Sequence, residues 1–339
     1  MNIRIIGAAA AALLSACTVQ QWQPARAPAA DDHLSHMQSA DLRLTSVAPR
    51  TGPSAQGVQG IPASAATAAA RLAASPRHGE WVKIAWTPGS ADSLMAWVVY
   101  PVRRDKAAVV VVIHEIFGLS SWVRAVADQA AADGFIAIAP DFVSRARGGP
   151  STEELAGNAA SGLIRGVDAA EKNRAIVAAA NYAMTLPSAE PRYAVIGYCW
   201  GGTAVFGHAV HGGVKGFSGG VAFYGSPYTN PGTPATATTP AIPATVAFDS
   251  LAKINVPVML LNGSRDARIG AMMPAIDSAM KAMRKDYVGV NYEGAIHGFL
   301  RAQDDPATGN NADAGPANLA AAKDAWPKTL AFLRKHLNK

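Results

Sequence analysis

Cysteine is almost absent from this chain of 339 residues: only Cys17 and Cys199 occur, in stretches of different character, which argues against a structural disulfide. Long apolar runs are missing as well. The one near the N-terminus, Ile5 to Leu14, is too short to span a bilayer as a mature helix. Positive charge is in excess, with a net +6 and a pI near 9.4, but the basic residues are scattered and their longest cluster is Arg103-Arg104-Asp105-Lys106. With no basic face along any predicted helix, nucleic acid is not an expected partner. What the chain does have is apolar bulk. Half of it is hydrophobic, enough for a large core.

Residues 1–17 carry Arg4, the apolar run, and then Leu14-Ser15-Ala16-Cys17. A basic start, an apolar centre and small residues before the break read as a secretory signal. The last four residues resemble the lipobox of bacterial lipoproteins, and that resemblance implies a lipidated Cys17 as the first mature residue. Thr18 follows, not Asp, so the expected location is the periplasmic side of the outer membrane. Cleavage by an ordinary signal peptidase, with Cys17 incidental, is the alternative. Residues 18–78 are rich in Ala, Pro, Gln and Ser without sustained apolar period, and read as a flexible tether apart from a short helical stretch at Ala63 to Ala74.

From residue 79 the texture changes. Glu80 to Trp86 and Leu94 to Tyr100, separated by a Pro-Gly turn, predict an antiparallel pair at a sheet edge. Ala107 to Ile113 is a β-branched run suited to a strand buried on both faces. Ser120 to Asp133 predicts a helix and Phe135 to Ala139 the next strand, a parallel crossover. Ser144 to Gly166 reads as an irregular excursion. The remaining expectations are a helix over Asp168 to Leu186, strands at Tyr193 to Ile196, Gly220 to Tyr224, Pro257 to Leu261 and Val288 to Tyr292, and helices at Thr203 to Val210, Met272 to Lys285 and Leu319 to Leu337, the last interrupted near Pro327. Pro227 to Pro243 reads as a loop insertion. This alternation predicts a three-layer α/β sandwich with a mostly parallel central sheet and one core over residues 79–339.

The chemistry centres on Gly197-Tyr198-Cys199-Trp200-Gly201, a strand, tight turn and helix with the pattern of a nucleophile elbow and sulfur in place of oxygen. Two further strand ends carry polar groups where open parallel sheets place their sites: Asn262 to Asp266, and Gly294 to Phe299. The chain order is therefore Cys199, Asp266, His297, the nucleophile, acid, base order of α/β-hydrolases. A free thiol titrates at about 8.5, so its thiolate needs help. Cys199 would have it from a helix N-terminus and from His297 as base, with Asp266 fixing the imidazole tautomer. An oxyanion hole needs two N–H donors, and the elbow offers the backbone of Trp200 and of Ile116.

His114-Glu115-Ile116-Phe117-Gly118, Pro140-Asp141, Gly197 to Gly202, Phe223-Tyr224-Gly225, Gly263-x-x-Asp266 and His297-Gly298-Phe299 occur in one order. Together they make residues from about 80 to 337 resemble the dienelactone hydrolase family. That resemblance implies an α/β-hydrolase fold and hydrolysis of a lactone or ester by Cys199 through an acyl-enzyme, with no metal or organic cofactor. It also implies that Glu115 holds the resting thiol and is displaced by substrate, and that Arg301, four residues after His297, binds a substrate carboxylate. A second carboxylate-binding arginine has no counterpart between Ser151 and Ile164, although Arg145, Arg147 and Arg165 flank that stretch. A neutral or monoanionic ester is therefore a credible substrate.

Plainer readings stand beside these. Cys199 could be a small buried hydrophobe, and His297 and Asp266 could be structural. Glu115 could merely bind solvent or pair with an arginine, and His114, His208, His211 and His336 could be structural or solvated. Trp122 and Trp200 could line a pocket or simply pack. The alternative functions are a general carboxylesterase on exogenous esters and a catalytically silent binding lipoprotein. Redox sensing is weaker, since no second cysteine remains in the mature domain to resolve a sulfenic acid.

Overall fold

The computed structural model describes residues 55–151, 158–230, 232–233, 235–236, 238–242, 245–305 and 313–337. The expected signal segment, Cys17 and the tether up to residue 54 lie outside the described residues. In chain order the elements are α1 (Ala68–Ala73), β1 (Gly79–Ala85), β2 (Ser93–Val99), β3 (Ala107–Ile113), α2 (Ser121–Ala132), β4 (Ile136–Pro140), α3 (Ser144–Arg147), α4 (Asn158–Ile164), α5 (Ala169–Met184) and β5 (Ala189–Tyr198). They continue with α6 (Trp200–His211), β6 (Phe217–Phe223), β7 (Thr229–Asn230), β8 (Thr245–Val246), α7 (Phe248–Leu251), β9 (Val258–Gly263), α8 (Ala267–Ala282), β10 (Tyr287–Tyr292), α9 (Phe299–Ala302) and α10 (Gly315–Leu337).

Eight strands form the central sheet in the order β1-β2-β4-β3-β5-β6-β9-β10. β1 and β2 pair antiparallel at one edge, β2 joins β4 antiparallel, and the remaining pairs are parallel. β3 is buried along its whole length because helices cover both faces of a parallel sheet. α2 and α10 are tied together by the Trp326 indole N–H, which donates to Asp133 Oδ2 at 2.9 Å, while α5 and α6 pack on each other and on β3 and β5. This is the expected α/β-hydrolase sandwich. Its strand ends β3, β5, β9 and β10 bring their following loops to one edge.

Element boundaries moved where a side chain takes over a backbone duty. α8 begins five residues before the expected Met272, because Asp266 caps it by accepting from Ile269 N–H at 3.2 Å. α5 is capped likewise by Asp168, which accepts from Glu171 N–H at 2.8 Å. α10 runs through Pro327 without interruption. Proline removes one helical hydrogen bond there, but buried Ala325, Trp326, Thr329 and Leu330 anchor the turns on either side. The expected irregular stretch after Ser144 contains α3 and α4, and the 227–243 insertion includes β7, which pairs antiparallel with β8 just beyond it.

The largest departure concerns residues 55–78, which fall within the expected tether yet are folded onto the domain. Ile61, Ala63, Ser64, Ala66, Thr67 and Ala68 are buried. The Arg71 guanidinium donates to the carbonyls of Val58 and Ile61, both at 2.8 Å, and to Gln129 Oε1 of α2 at 2.7 Å. Trp122 Nε1–H donates to Ala63 O at 2.8 Å. Small side chains let this backbone lie close to α2, and Arg71 satisfies the carbonyls that a loop would otherwise turn to water. The folded unit therefore begins well before residue 79.

Candidate active site

β5 ends at Tyr198 and α6 starts at Trp200, leaving Cys199 as the only residue of the turn. Its φ of 55° and ψ of −116° are sparsely populated for a side-chain-bearing residue. Cys199 N–H donates to Phe223 O at 3.0 Å, which ties the corner to β6. The glycines that follow are needed for approach, not flexibility. A Cβ added at Gly201 would lie 2.5 Å from Ile113 O and 2.6 Å from His114 O, and one at Gly202 would lie 2.7 Å from Phe223 O. The first turn of α6 thus sits directly on the ends of β3 and β6. Cys199 is fully buried in this corner.

Asp266 and His297 arrive from the loops after β9 and β10. Asp266 uses one carboxylate oxygen to cap α8, and the other accepts from His297 Nδ1–H at 2.7 Å. That contact leaves Nε2 as the atom through which the imidazole can exchange a proton with the thiol. Burial alone would lower the His297 pKa, but the facing Cys199 sulfur and the Asp266 carboxylate outweigh it and hold the imidazole well above its ordinary range. Burial likewise pushes the Asp266 carboxyl up, and its hydrogen bond to His297 brings it below the ordinary value. The structure thus brings the three residues anticipated from strand-end positions together in one line that runs from the buried Cys199 to a partly exposed His297 and Asp266.

Glu115, in the loop after β3, is 2% exposed and its Oε2 pairs with Arg301 Nε at 2.7 Å. Arg301 itself is 4% exposed, with its guanidinium 4.8 Å from the centre of the Phe117 ring. The two residues singled out separately in the sequence are therefore partners. The flanking arginines have other duties: Arg145 pairs with Asp92 at 2.5 Å and Glu171 at 2.6 Å, and Arg147 donates to Pro150 O at 2.7 Å. Of the oxyanion candidates, Trp200 follows Cys199 directly, and Ile116 lies in the loop after β3, whose end at Ile113 and His114 packs on the first turn of α6. Trp200 N–H belongs to the first turn of α6, whose donors have no helical acceptor. Among the described residues the Ile116 N–H also meets no acceptor.

Further groups surround the centre. Tyr224 has a φ of 40°, its ring centre is 5.0 Å from that of His297, and burial followed by the Glu115 charge raises its pKa well above the ordinary phenol value. Tyr198 is buried and shifted the same way by the same causes. The motif positions of these tyrosines were visible in the sequence, but nothing in it signalled two buried phenols near a carboxylate. Trp122 and Trp200 pack: the first meets Tyr198 edge-on with centres 5.0 Å apart, the second lies against His114 and Phe142. His208 is structural, bonded to Tyr193 Oη at 2.9 Å and Asn173 Oδ1 at 2.7 Å. Asp141 anchors the next loop through Ser151 N–H at 2.5 Å and Ser151 Oγ at 2.9 Å.

Residues 94–337, well over half of the chain, match the model of the dienelactone hydrolase family. The chain belongs to that family. A Synechocystis sp. protein with the provisional name carboxymethylenebutenolidase is 30% identical over 262 residues, spanning 74% of this chain and 95% of the relative. A Bradyrhizobium sp. protein provisionally named 2-oxo-3-(5-oxofuran-2-ylidene)propanoate lactonase is 26% identical, over 76% of this chain and 94% of the relative. The dienelactone hydrolase structure from Anabaena variabilis superposes with a TM-score of 0.53 at 16% identity, covering 77% of this chain and 99% of that one, a likeness of fold. As a dienelactone hydrolase family member the chain is a carboxylic ester hydrolase.

Proposed function

We propose that this dienelactone hydrolase family member opens a lactone or cleaves a carboxylic ester with Cys199 as nucleophile. The observation that carries the reading is the line from Cys199, held at a φ of 55°, to His297 and on to Asp266 at 2.7 Å. The His297 base takes the thiol proton, and the thiolate adds to the carbonyl carbon. The resulting oxyanion is received by the N–H groups of Ile116 and Trp200. Collapse breaks the bond to the alkoxide or enolate oxygen, which takes the proton from the His297 imidazolium. A water then gives its proton to His297 and adds to the thioester. Collapse of that second adduct releases the acid and expels the sulfur, which takes the proton back from the His297 imidazolium and so restores the starting state. Asp266 keeps Nδ1 protonated throughout and stabilises the imidazolium. Glu115 sits next to this cycle as the residue that holds the resting thiol, balanced by Arg301.

For the acyl group we favour two related classes. The names of the relatives suggest a butenolide-type lactone, with Arg301 available to a substrate carboxylate once Glu115 moves. The engagement of Arg145 and Arg147 in local contacts favours a neutral or monoanionic ester, since neither stands ready as a second carboxylate partner. The N-terminal lipobox-like sequence supports export and attachment through Cys17 to a membrane on its periplasmic side. The test is turnover of a panel of lactones and chromogenic esters by the full mature chain, with Cys199→Ala as control. Activity in the wild type and its loss in a folded variant is the expected result. Undiminished turnover by Cys199→Ala sinks the nucleophile assignment. Slow iodoacetamide labelling of Cys199 with no turnover at all favours the silent binding lipoprotein.

A further inference from the structure

His114 is fully buried between the end of β3 and the elbow, and its hydrogen bonds fix its state. Its Nδ1 lies 2.6 Å from Glu115 O, an atom that can only accept, so Nδ1 carries the proton. Its Nε2 accepts from Phe142 N–H at 3.2 Å, so that nitrogen is bare. This single neutral tautomer suits a site where burial pushes the pKa down to about 4. The imidazole also stacks on the Trp200 indole, with centres 5.8 Å apart and planes 11° from parallel, and meets Phe142 edge-on at 5.2 Å.

The acceptor of the Nδ1–H bond belongs to a particular peptide unit. Glu115 C=O and Ile116 N–H are the two ends of one planar trans amide, pointing in opposite directions. A donor fixed on that carbonyl sets the rotation of the whole plane, and so the aim of Ile116 N–H. It also polarises the amide and strengthens that N–H as a donor. Gly118 N–H reaches the same carbonyl at a longer 3.3 Å, a weaker restraint. The other donor, Trp200 N–H, belongs to the residue on which the imidazole stacks. One side chain therefore braces both N–H groups without touching the reacting atoms.

We propose that His114 is the positioning residue of the oxyanion hole, holding the Glu115–Ile116 peptide through Nδ1–H and Trp200 through its ring face. The inference rests on the hydrolytic reading given above. Two substitutions separate this role from a structural one. In His114→Asn the amide nitrogen falls near the Nδ1 position and keeps the donor to Glu115 O, but Phe142 N–H loses its acceptor. In His114→Gln the amide oxygen falls near the Nε2 position and keeps that acceptor, but the donor to Glu115 O is gone.

The experiment measures kcat and KM for a chromogenic ester, the rate of Cys199 alkylation by iodoacetamide, and thermal stability, for the full wild-type chain and both variants. Alkylation forms no oxyanion, so it reads the thiol and its base alone. For His114→Gln we expect kcat to fall roughly tenfold to hundredfold, less than removal of a donor outright, with alkylation unchanged and KM within about twofold. For His114→Asn we expect most of kcat to survive although the protein melts lower than the Gln variant. Activity that follows stability, with the Asn variant the poorer enzyme, overturns the inference. So does a His114→Gln variant as active as the wild type, or one whose alkylation falls in step with its turnover. A wild-type chain that turns over no ester or lactone overturns the hydrolytic reading and this inference with it, whereas the variant results overturn this inference alone.

Discussion

Two glycines in α6 make opposite predictions from the same substitution. At Gly201 an added Cβ falls 2.5 Å from Ile113 O and 2.6 Å from His114 O, well inside the ordinary contact distance of 3.4 Å. Both obstacles are main-chain atoms of the strand end that carries Glu115, so neither can rotate away. The helix start must back off by the better part of an ångström. Overpacking of this kind costs roughly 1–3 kcal/mol, and the rigidity of both neighbours puts Gly201→Ala toward the upper end. At Gly207, six residues on in the same helix, a Cβ meets nothing within 4 Å. There the exchange removes only the entropic penalty of glycine and should add about 0.5–1 kcal/mol. Activity should split as well. Moving the first turn of α6 shifts both Cys199 and the Trp200 N–H, and a misplacement of about 1 Å costs on the order of a hundredfold in rate. Urea melts and ester turnover on both variants check this. Gly201→Ala should lose stability and nearly all activity, and Gly207→Ala should gain stability and keep its rate. Equal stability changes at the two sites, or full turnover by Gly201→Ala, would refute the account of the elbow.

Asp266→Asn should leave the α8 cap largely in place through the amide oxygen but present an N–H to His297 Nδ1, and kcat should fall at least about a hundredfold with little change in melting; turnover within a few-fold of wild type would remove Asp266 from the triad. Asp141→Asn tests pH linkage. Burial raises the Asp141 pKa to about 6, so the folded state holds that proton more tightly than the unfolded chain, and the contribution is greatest below about pH 4 and lost as pH rises through 6. On the order of 3 kcal/mol is involved, so wild type should be more favoured over the Asn variant at pH 4.5 than at pH 7.5, and a difference independent of pH would contradict this. Cys17→Ser in the full precursor should move the protein from the membrane to the soluble fraction, and unchanged partition would exclude lipid attachment there.

What the sequence made legible and what it hid follow a physical division. The elbow could be read because close backbone approach demands Gly197, Gly201 and Gly202 around one cysteine, and no ordinary strand has a use for them. β3 could be read because a strand covered on both faces must be apolar throughout. The partnership of Asp266 and His297 followed from two strand ends sharing one edge. By contrast, Asp266 both meets His297 and caps α8, and only the first contact was visible in the sequence; the capping of α8 moved that helix start by a full turn. The Glu115–Arg301 pair joins residues 186 positions apart, a relation that residue spacing cannot encode. His114 cannot be told in the sequence from a structural or solvated histidine, because its contact is with a main-chain carbonyl, which leaves no pattern in side-chain identity.

Residues 55–78 show the same limit most clearly, and they bear on the site. Low bulk and many alanines suggested a stretch unable to order itself, but alanine also permits the closest packing of backbone on a helix, and Arg71 supplies the hydrogen bonds that such a segment lacks. The segment then reaches α9. Ala65 N–H donates to Arg301 O at 2.9 Å, and Gln303 Nε2–H donates to Pro62 O at 2.8 Å. Arg301 is the ion-pair partner of Glu115, so the backbone that carries the arginine is held from the outside by chain that precedes the family match at residue 94. Any movement of Glu115 toward or away from the thiol has to be accommodated by an arginine whose main chain is fixed in this way. In this molecule, therefore, the guanidinium has its side-chain torsions for any such adjustment, while α9, which bears it, is held in place.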